Sequence, residues 1–234
     1  MEYRTLGRTG LRVSPLAVGT VNFSWLTNEA NSFEILDFAR EAGVNFIDTA
    51  NNYNAGASEA LLGRWFNQGD RRREDTVLAS KVYLPPHRYD TGEPLMEQAK
   101  YVGPNEHRLS AKNIRHACEA SLKRLNTDYI DIYQMHHIDR AAPWEEVWQA
   151  MELLVAQGKV LYIGSSNFAG WHIAQANETA TRRNALGLVS EQTLYNLHER
   201  TAELEVIPAC EDYGMAFLPW SPLAAGRLAG LPQQ

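Results

Sequence analysis

YIDIYQMH (129–136), PWEEVWQAMELLVAQG (143–158) and VLYIGSS (160–166) succeed one another between residues 129 and 166, and their reading decides the fold. The first and third are short apolar runs of strand length, rich in aromatic and β-branched residues. The middle one places Trp144, Trp148 and Met151 at helical spacing, a face built to pack, with Pro143 near its first turn. Strand, helix and strand within roughly 30 residues make a βα unit leading into the next strand.

The same alternation extends in both directions. Upstream, SAKNIRHACEASLKRL (110–125) has Ile114, Cys118, Ser121, Leu122 and Leu125 on one helical face. Before it come TVLASK (76–81), SEALLGRWF (58–66) with Ser58 as its expected N-cap, NFIDTA (45–50), NEANSFEILDFAREAG (28–43) and PLAVGT (15–20). Downstream lie AGWHIAQANETATRR (169–183), LVSEQT (188–193), AELEVIPACEDYG (202–214) and MAFLPW (215–220). Residues 3–14, YRTLGRTGLRVS, read as an N-terminal β-hairpin, with Gly7 and Gly10 as turn glycines. Alternation of this kind implies a parallel sheet covered by helices. Seven strand–helix units, with no G-x-G-x-x-G after the first strand, favour a (β/α)₈ TIM barrel over an open doubly wound sheet. No low-complexity linker divides the chain, so residues 1–234 read as a single domain.

Composition narrows the function classes. The 234 residues are 44% hydrophobic and 21% charged, with a net charge of −6. An acidic surface argues against nucleic acid or an anionic membrane as partner. No apolar run approaches the roughly 20 residues that span a bilayer, and the first residues lack a signal-peptide pattern. Two cysteines, Cys118 and Cys210, make no disulfide framework, and a cytoplasmic location is expected. The remaining histidines lack a ligand spacing. His136 and His137, adjacent on a strand, should face opposite ways, so no metal site is expected.

Active sites of such barrels lie at the C-terminal ends of the strands. The polar residues there are Thr20 and Asn22; Asp48, with Tyr53 in the following loop; Lys81; His136 and His137; Ser165, Ser166 and Asn167; Glu191 and Gln192; and Trp220 and Ser221. Each has a bland reading. Asp48 alone could cap a loop, and Tyr53 alone could be an amphipathic loop residue. Lys81 closing an apolar strand is odder, because a buried lysine needs a partner. At adjacent strand ends these residues converge on one chemistry. A lysine ammonium lowers the pKa of a neighbouring phenol, a carboxylate orients the ammonium, and an imidazole N–H polarises a carbonyl. Such a group protonates a carbonyl oxygen as hydride arrives from a nicotinamide.

GVNFIDTANNYNAGASEALLG, VLASKVY, DYIDIYQMHHID, GKVLYIGSSNF, VSEQTLYN and FLPWSPLAAG resemble, in order and spacing, the motifs of the aldo-keto reductases. The wording is most similar to bacterial reductases of aryl-alcohol or sugar-carbonyl type. The resemblance implies an NADPH-dependent reductase of a small aldehyde or ketone, with Asp48, Tyr53, Lys81 and His136 as catalytic tetrad and Tyr53 as proton donor. It implies that Ser166, Asn167 and Gln192 hold the nicotinamide carboxamide and that Trp220 stacks on the ring. Ser221 and Leu223 would wrap the pyrophosphate, and Thr20 and Asp48 also fall among the cofactor positions. The family register selects His136 over His137 as the inward residue. Substrate shape would be read by loops 23–28 and 83–109 and by a C-terminal loop expected to be missing.

Three further expectations follow. An alternative to turnover is a cofactor-binding regulatory module of the same fold; a metal-dependent hydrolase is a third class. After residue 220, AAGRLAGLPQQ is too short and too rich in Gly and Pro for a strand. The chain therefore reads as a C-terminally truncated barrel lacking its eighth unit. Such a barrel would have open strand edges prone to self-association and a weakened hold on NADPH.

Overall fold

The computed structural model describes residues 1–86, 91 and 102–230. Two short antiparallel strands, β1 (Arg4–Thr5) and β2 (Arg12–Val13), form the N-terminal hairpin. Seven parallel strands follow: β3 (Ala17–Gly19), β4 (Phe46–Asp48), β5 (Val77–Val82), β6 (Ile130–Met135), β7 (Val160–Ser166), β8 (Leu188–Leu194) and β9 (Ala216–Trp220). Each pairs with the next in sequence, from β3 to β9. Between them run α1 (Glu29–Glu41), α2 (Ala57–Phe66), α3 (Ala111–Leu125), α4 (Trp144–Ala156), α5 (Gly170–Arg182) and α6 (Val206–Asp212). This is the layout of a (β/α)₈ barrel, with seven of its strands among the described residues.

Two apolar layers hold it. Strands β5 and β6 are buried along their whole length, which parallel strands sandwiched between layers require. Outside the sheet, Leu78, Val82, Tyr133, Met135 and Ile163 pack on helix residues such as Ile114, Cys118, Trp148, Met151 and Ile173. The α3 face Ile114, Cys118, Ser121, Leu122 and Leu125 is buried. Trp148 and Met151 of α4 are buried too, while Trp144 is half-buried against Phe168. Burial pushes the free thiols of Cys118 and Cys210 up to about 12, which leaves them unreactive near neutrality.

Inside the sheet, Phe46, Val77, Ala79, Ile132 and Val189 form a second cluster with Leu6 and Val13 of the hairpin. The hairpin thus closes the N-terminal end of the barrel. Gly7 does more than turn the chain. At φ +50 its missing Cβ would lie 2.7–2.8 Å from the Ala216 amide and the Val189 and Gly214 carbonyls. Only glycine lets the hairpin approach β8 and β9 this closely.

Some element boundaries differ from the sequence reading. Ser58 is not an N-cap. Helix α2 starts at Ala57 behind Gly56, whose φ is +87, so Ser58 falls inside the first turn and points at the strand ends. The helix expected over 202–214 divides into a 3-10 turn (Thr201–Glu203) and α6. Glu205, with φ −146, separates the two, and Pro208 sits in the first turn of α6, where its missing N–H costs nothing. His87 and residues 231–234 lie outside the described residues, and loop 83–109 is described only in part.

Candidate active site

Alternation along a strand decides what reaches the interior at the C-terminal end. On β4 Phe46 and Asp48 share a face; on β5 Val77, Ala79 and Lys81 do; on β6 Ile132 and Gln134 do, and His136 follows just past the strand's end with its amide bonded to the Val82 carbonyl. The apolar members form the floor just described, and the polar members stand above it. Lys81 is fully buried. Its Nζ lies 2.6 Å from Asp48 Oδ2, 3.1 Å from the Tyr53 hydroxyl and 3.0 Å from the Thr49 carbonyl oxygen. The His136 ring stands edge-on to Tyr53, with centroids 6.0 Å apart. The structure therefore brings Asp48, Tyr53, Lys81 and His136 together.

Burial by itself disfavours the Lys81 ammonium, but the Asp48 carboxylate, the Tyr53 oxygen and hydrogen bonds to both outweigh it, and its pKa is raised. Tyr53 departs from the sequence expectation. Burial pushes its phenol above the ordinary value; Lys81 pulls down, Asp48 pushes up again, and the net direction is upward. Lys81 acts as expected, but Asp48 opposes it and burial disfavours the charged phenolate. The phenol is therefore a protonated donor at neutral pH.

The turn carrying Tyr53 is held in place. Asn54 and Ala55 have φ of +46 and +54, a left-handed conformation that disfavours a residue such as Ala55. Asn54 Nδ2 donates to the Ser24 carbonyl, and the Ser24 hydroxyl donates to the Ala57 carbonyl, which joins this turn to loop 23–28. Ser58 Oγ donates to Thr20, with the Thr20 carbonyl at 2.9 Å and its hydroxyl at 2.8 Å, and stands 3.2 Å from Thr49 Oγ1. The Thr20 hydroxyl donates to the Asp48 carbonyl. Thr20 is fully buried yet borders the cleft.

A cleft of about 980 Å³ opens beside this cluster, bordered by both edge strands, β3 and β9. Asp48, Tyr53, His136, Ser166, Asn167, Gln192, Trp220 and Ser221 line it. Leu223 does not; it is exposed in the turn after β9. His137 also lines the cleft, its ring nearly parallel to that of His136 at 5.7 Å. Opposed orientation does not hold for this pair because β6 ends at Met135, and strand alternation stops with it. Among the described residues, no group of three or more His, Cys, Asp or Glu side chains gathers where a metal could bind.

An ion pair, a phenol and an imidazole set at the top of a (β/α)₈ sheet, each on its own strand or strand loop, match one known family. The aldo/keto reductase family pattern fits residues 15–234. The chain belongs to the aldo/keto reductase family. It is 53% identical over 98% of its length to the Bacillus subtilis protein named uncharacterized oxidoreductase YrpG, of which it covers 69%. It is 35% identical over 98% of its length to versiconal hemiacetal acetate reductase of Aspergillus parasiticus, covering 69% of that protein. A protein of Oryza sativa subsp. japonica named probable voltage-gated potassium channel subunit beta is 35% identical over 98% of this chain, which spans 66% of that relative.

This aldo/keto reductase has site features that the sequence reading missed. Gln134 Nε2 donates to Asp48 Oδ1 at 3.1 Å, and Gln192 Nε2 donates to the same oxygen at 2.9 Å. Both amides thus brace the carboxylate of the ion pair. A polar residue at an inward position of the apolar strand 130–135 was the available signal for Gln134. Asn167, expected as a nicotinamide contact, also joins neighbouring strand ends. Its Oδ1 accepts from Trp220 Nε1 at 3.0 Å, and its Nδ2 donates to the His136 carbonyl at 3.2 Å and to Ser166 Oγ at 2.9 Å.

Glu191, read from the sequence as a strand-end polar residue of the site, is instead buried on the opposite face of β8. Burial pushes its carboxyl up to about 7 from 4.5, against hydrogen bonds from Ser165, Thr193 and nearby amides. A raised carboxyl pKa contributes stability that is fully present below 4.5 and is lost as pH rises to about 7. Glu191→Gln removes this dependence. Thermal melts of the unsubstituted protein should fall relative to the variant between about pH 5 and pH 8, by roughly 3 kcal/mol at the alkaline end. Parallel melts across that range would show that Glu191 does not titrate there.

Proposed function

We propose that this oxidoreductase, as one barrel domain over residues 1–234, reduces a small aldehyde or ketone to an alcohol with NADPH, Tyr53 being the general acid. The observation that carries the reading is Lys81 Nζ, fully buried and bonded at once to Asp48 and to the Tyr53 hydroxyl. An ammonium so placed serves a proton donor, whereas dinucleotide binding alone does not need it. The cleft lining suits the cofactor: a partly exposed Trp220 ring beside the polar side chains of Ser166, Asn167 and Gln192, with Ser221 beyond. Small-molecule sites combine an apolar wall with a few placed polar groups in this way. NADPH would supply the hydride. The protein's part is to orient a carbonyl oxygen toward the Tyr53 hydroxyl and the His136 ring and to deliver the phenolic proton. Lys81 then stabilises the phenolate left behind, and Asp48, braced by Gln134 and Gln192, keeps Lys81 charged and aimed. The buried free thiols of Cys118 and Cys210 suit a reducing, cytoplasmic setting. Among the described residues no helix is long and apolar enough to cross a membrane.

The test is a panel of aldehydes and ketones followed by NADPH absorbance across pH. Because the Tyr53 phenol is shifted upward, the acid form persists through neutrality. Reduction should therefore keep a level kcat/KM from about pH 6 to about pH 9, while alcohol oxidation, which needs the phenolate, rises over the same range. A reduction rate that falls off around pH 7–8 would contradict a Tyr53 proton donor. The regulatory-module reading has the similarity to a protein named a potassium channel subunit on its side. Single-turnover NADPH oxidation separates the two, since a module binds the cofactor without a fast oxidation step.

A further inference from the structure

We propose that Glu191 is a positioning residue for the dinucleotide site: from the helix side of the sheet it sets the turn after β7, whose Asn167 ties Trp220 and His136 into place. The inference rests on reading the cleft as a nicotinamide site. The register carries the first step. A β-bulge between the Ile163–Leu188 and Ser165–Glu191 pairs shifts the register beyond Val189, so that Ser166 pairs with Gln192 on the cleft side and the preceding pair, Ser165 with Glu191, faces the helices. There Glu191 has no solvent exposure. Its carboxylate accepts the Phe168 amide N–H at 3.0 Å, the Thr193 hydroxyl at 2.6 Å and the Ser165 hydroxyl.

Phe168 immediately follows Asn167, and Asn167 has φ +58. Asparagine tolerates the left-handed region better than other non-glycine residues, and neighbouring groups still fix which way its side chain and the next amide point. An acceptor fastened to the next amide does so. Asn167 Nδ2 donates to the His136 carbonyl, just past β6, and to Ser166 at the end of β7, while its Oδ1 accepts from Trp220 at the end of β9. One turn therefore sets the spacing of three strand ends around the cleft. A buried carboxylate is a costly way to hold a turn that only had to fold. At this position its reach is to the cleft wall.

Dissociation constants for NADPH, read from quenching of protein fluorescence, test this in Glu191→Gln, Glu191→Asp and Glu191→Leu alongside the unsubstituted protein, with cofactor-free melts for each. Glutamine keeps an oxygen for the Phe168 amide and should recover most of the affinity. Aspartate withdraws the oxygen by one methylene and leucine removes it, so both should bind NADPH roughly tenfold to a hundredfold more weakly. Leucine also leaves the Phe168 amide and the Ser165 and Thr193 hydroxyls without this acceptor and is expected to melt lower; should it fail to fold, aspartate carries the comparison. Aspartate or leucine binding as tightly as the unsubstituted protein would overturn the inference. So would glutamine binding as weakly as aspartate, because a shared loss would reflect the fold rather than the held turn. If the unsubstituted protein itself binds no dinucleotide, the functional reading fails first, on a separate measurement.

Discussion

Tyr53→Phe is expected to eliminate steady-state carbonyl reduction while leaving NADPH affinity and the fold nearly unchanged. The ring remains against His136 and beneath the Lys81 ammonium, whose Nζ lies 4.9 Å from the ring centre. Lys81 keeps its bonds to Asp48 and to the Thr49 carbonyl. Only the hydroxyl and its 3.1 Å bond to Lys81 disappear. Removing a positioned acid costs about 10²–10⁴ in rate, and no other hydroxyl is bonded to Lys81 among the described residues. Single-turnover NADPH oxidation with a reactive aryl aldehyde, next to a cofactor titration, measures both halves. A variant that keeps most of its rate would remove Tyr53 from the chemistry.

Lys81→Ala is expected to be at least as damaging to turnover and, unlike Tyr53→Phe, to destabilise the protein. Asp48 would remain facing Gln134 and Gln192 with no cation, and orphaning one partner of a buried ion pair costs about 3–5 kcal/mol. The two effects can be separated. Adding Asp48→Asn removes the stranded charge and should restore most of the lost melting temperature while activity stays absent. If Lys81→Ala alone melts like the parent, the pair is not held as tightly as its 2.6 Å geometry requires. Activity returning in the double variant would mean that Lys81 serves the fold only.

Much of the architecture was legible because parallel strands buried on both faces must be apolar throughout, and amphipathic helices must repeat every 3.6 residues. VLYIGSS was read over the residues that form β7, and the five-residue face of α3 over those that are buried. Where signals were local but ambiguous, reading by type failed. Ser58 suits an N-cap in isolation, yet the helix begins one residue earlier, and its hydroxyl serves Thr20 across the strand ends. His137 obeys strand alternation only if the strand continues, and it does not.

The sequence by itself determined the order of strands and helices, their parallel pairing, and the placing of Asp48, Lys81 and His136 at strand ends, because periodicity and turn chemistry are local properties of the chain. Only the tertiary structure decided that Gln134 and Gln192 brace one oxygen of Asp48, that Asn167 joins three strand ends, and that Tyr53 is shifted up rather than down. Those outcomes depend on distances between residues up to 144 positions apart and on how completely water is excluded between them. Desolvation and hydrogen-bond partnership belong to a place in the fold, and no single segment of the sequence carries them.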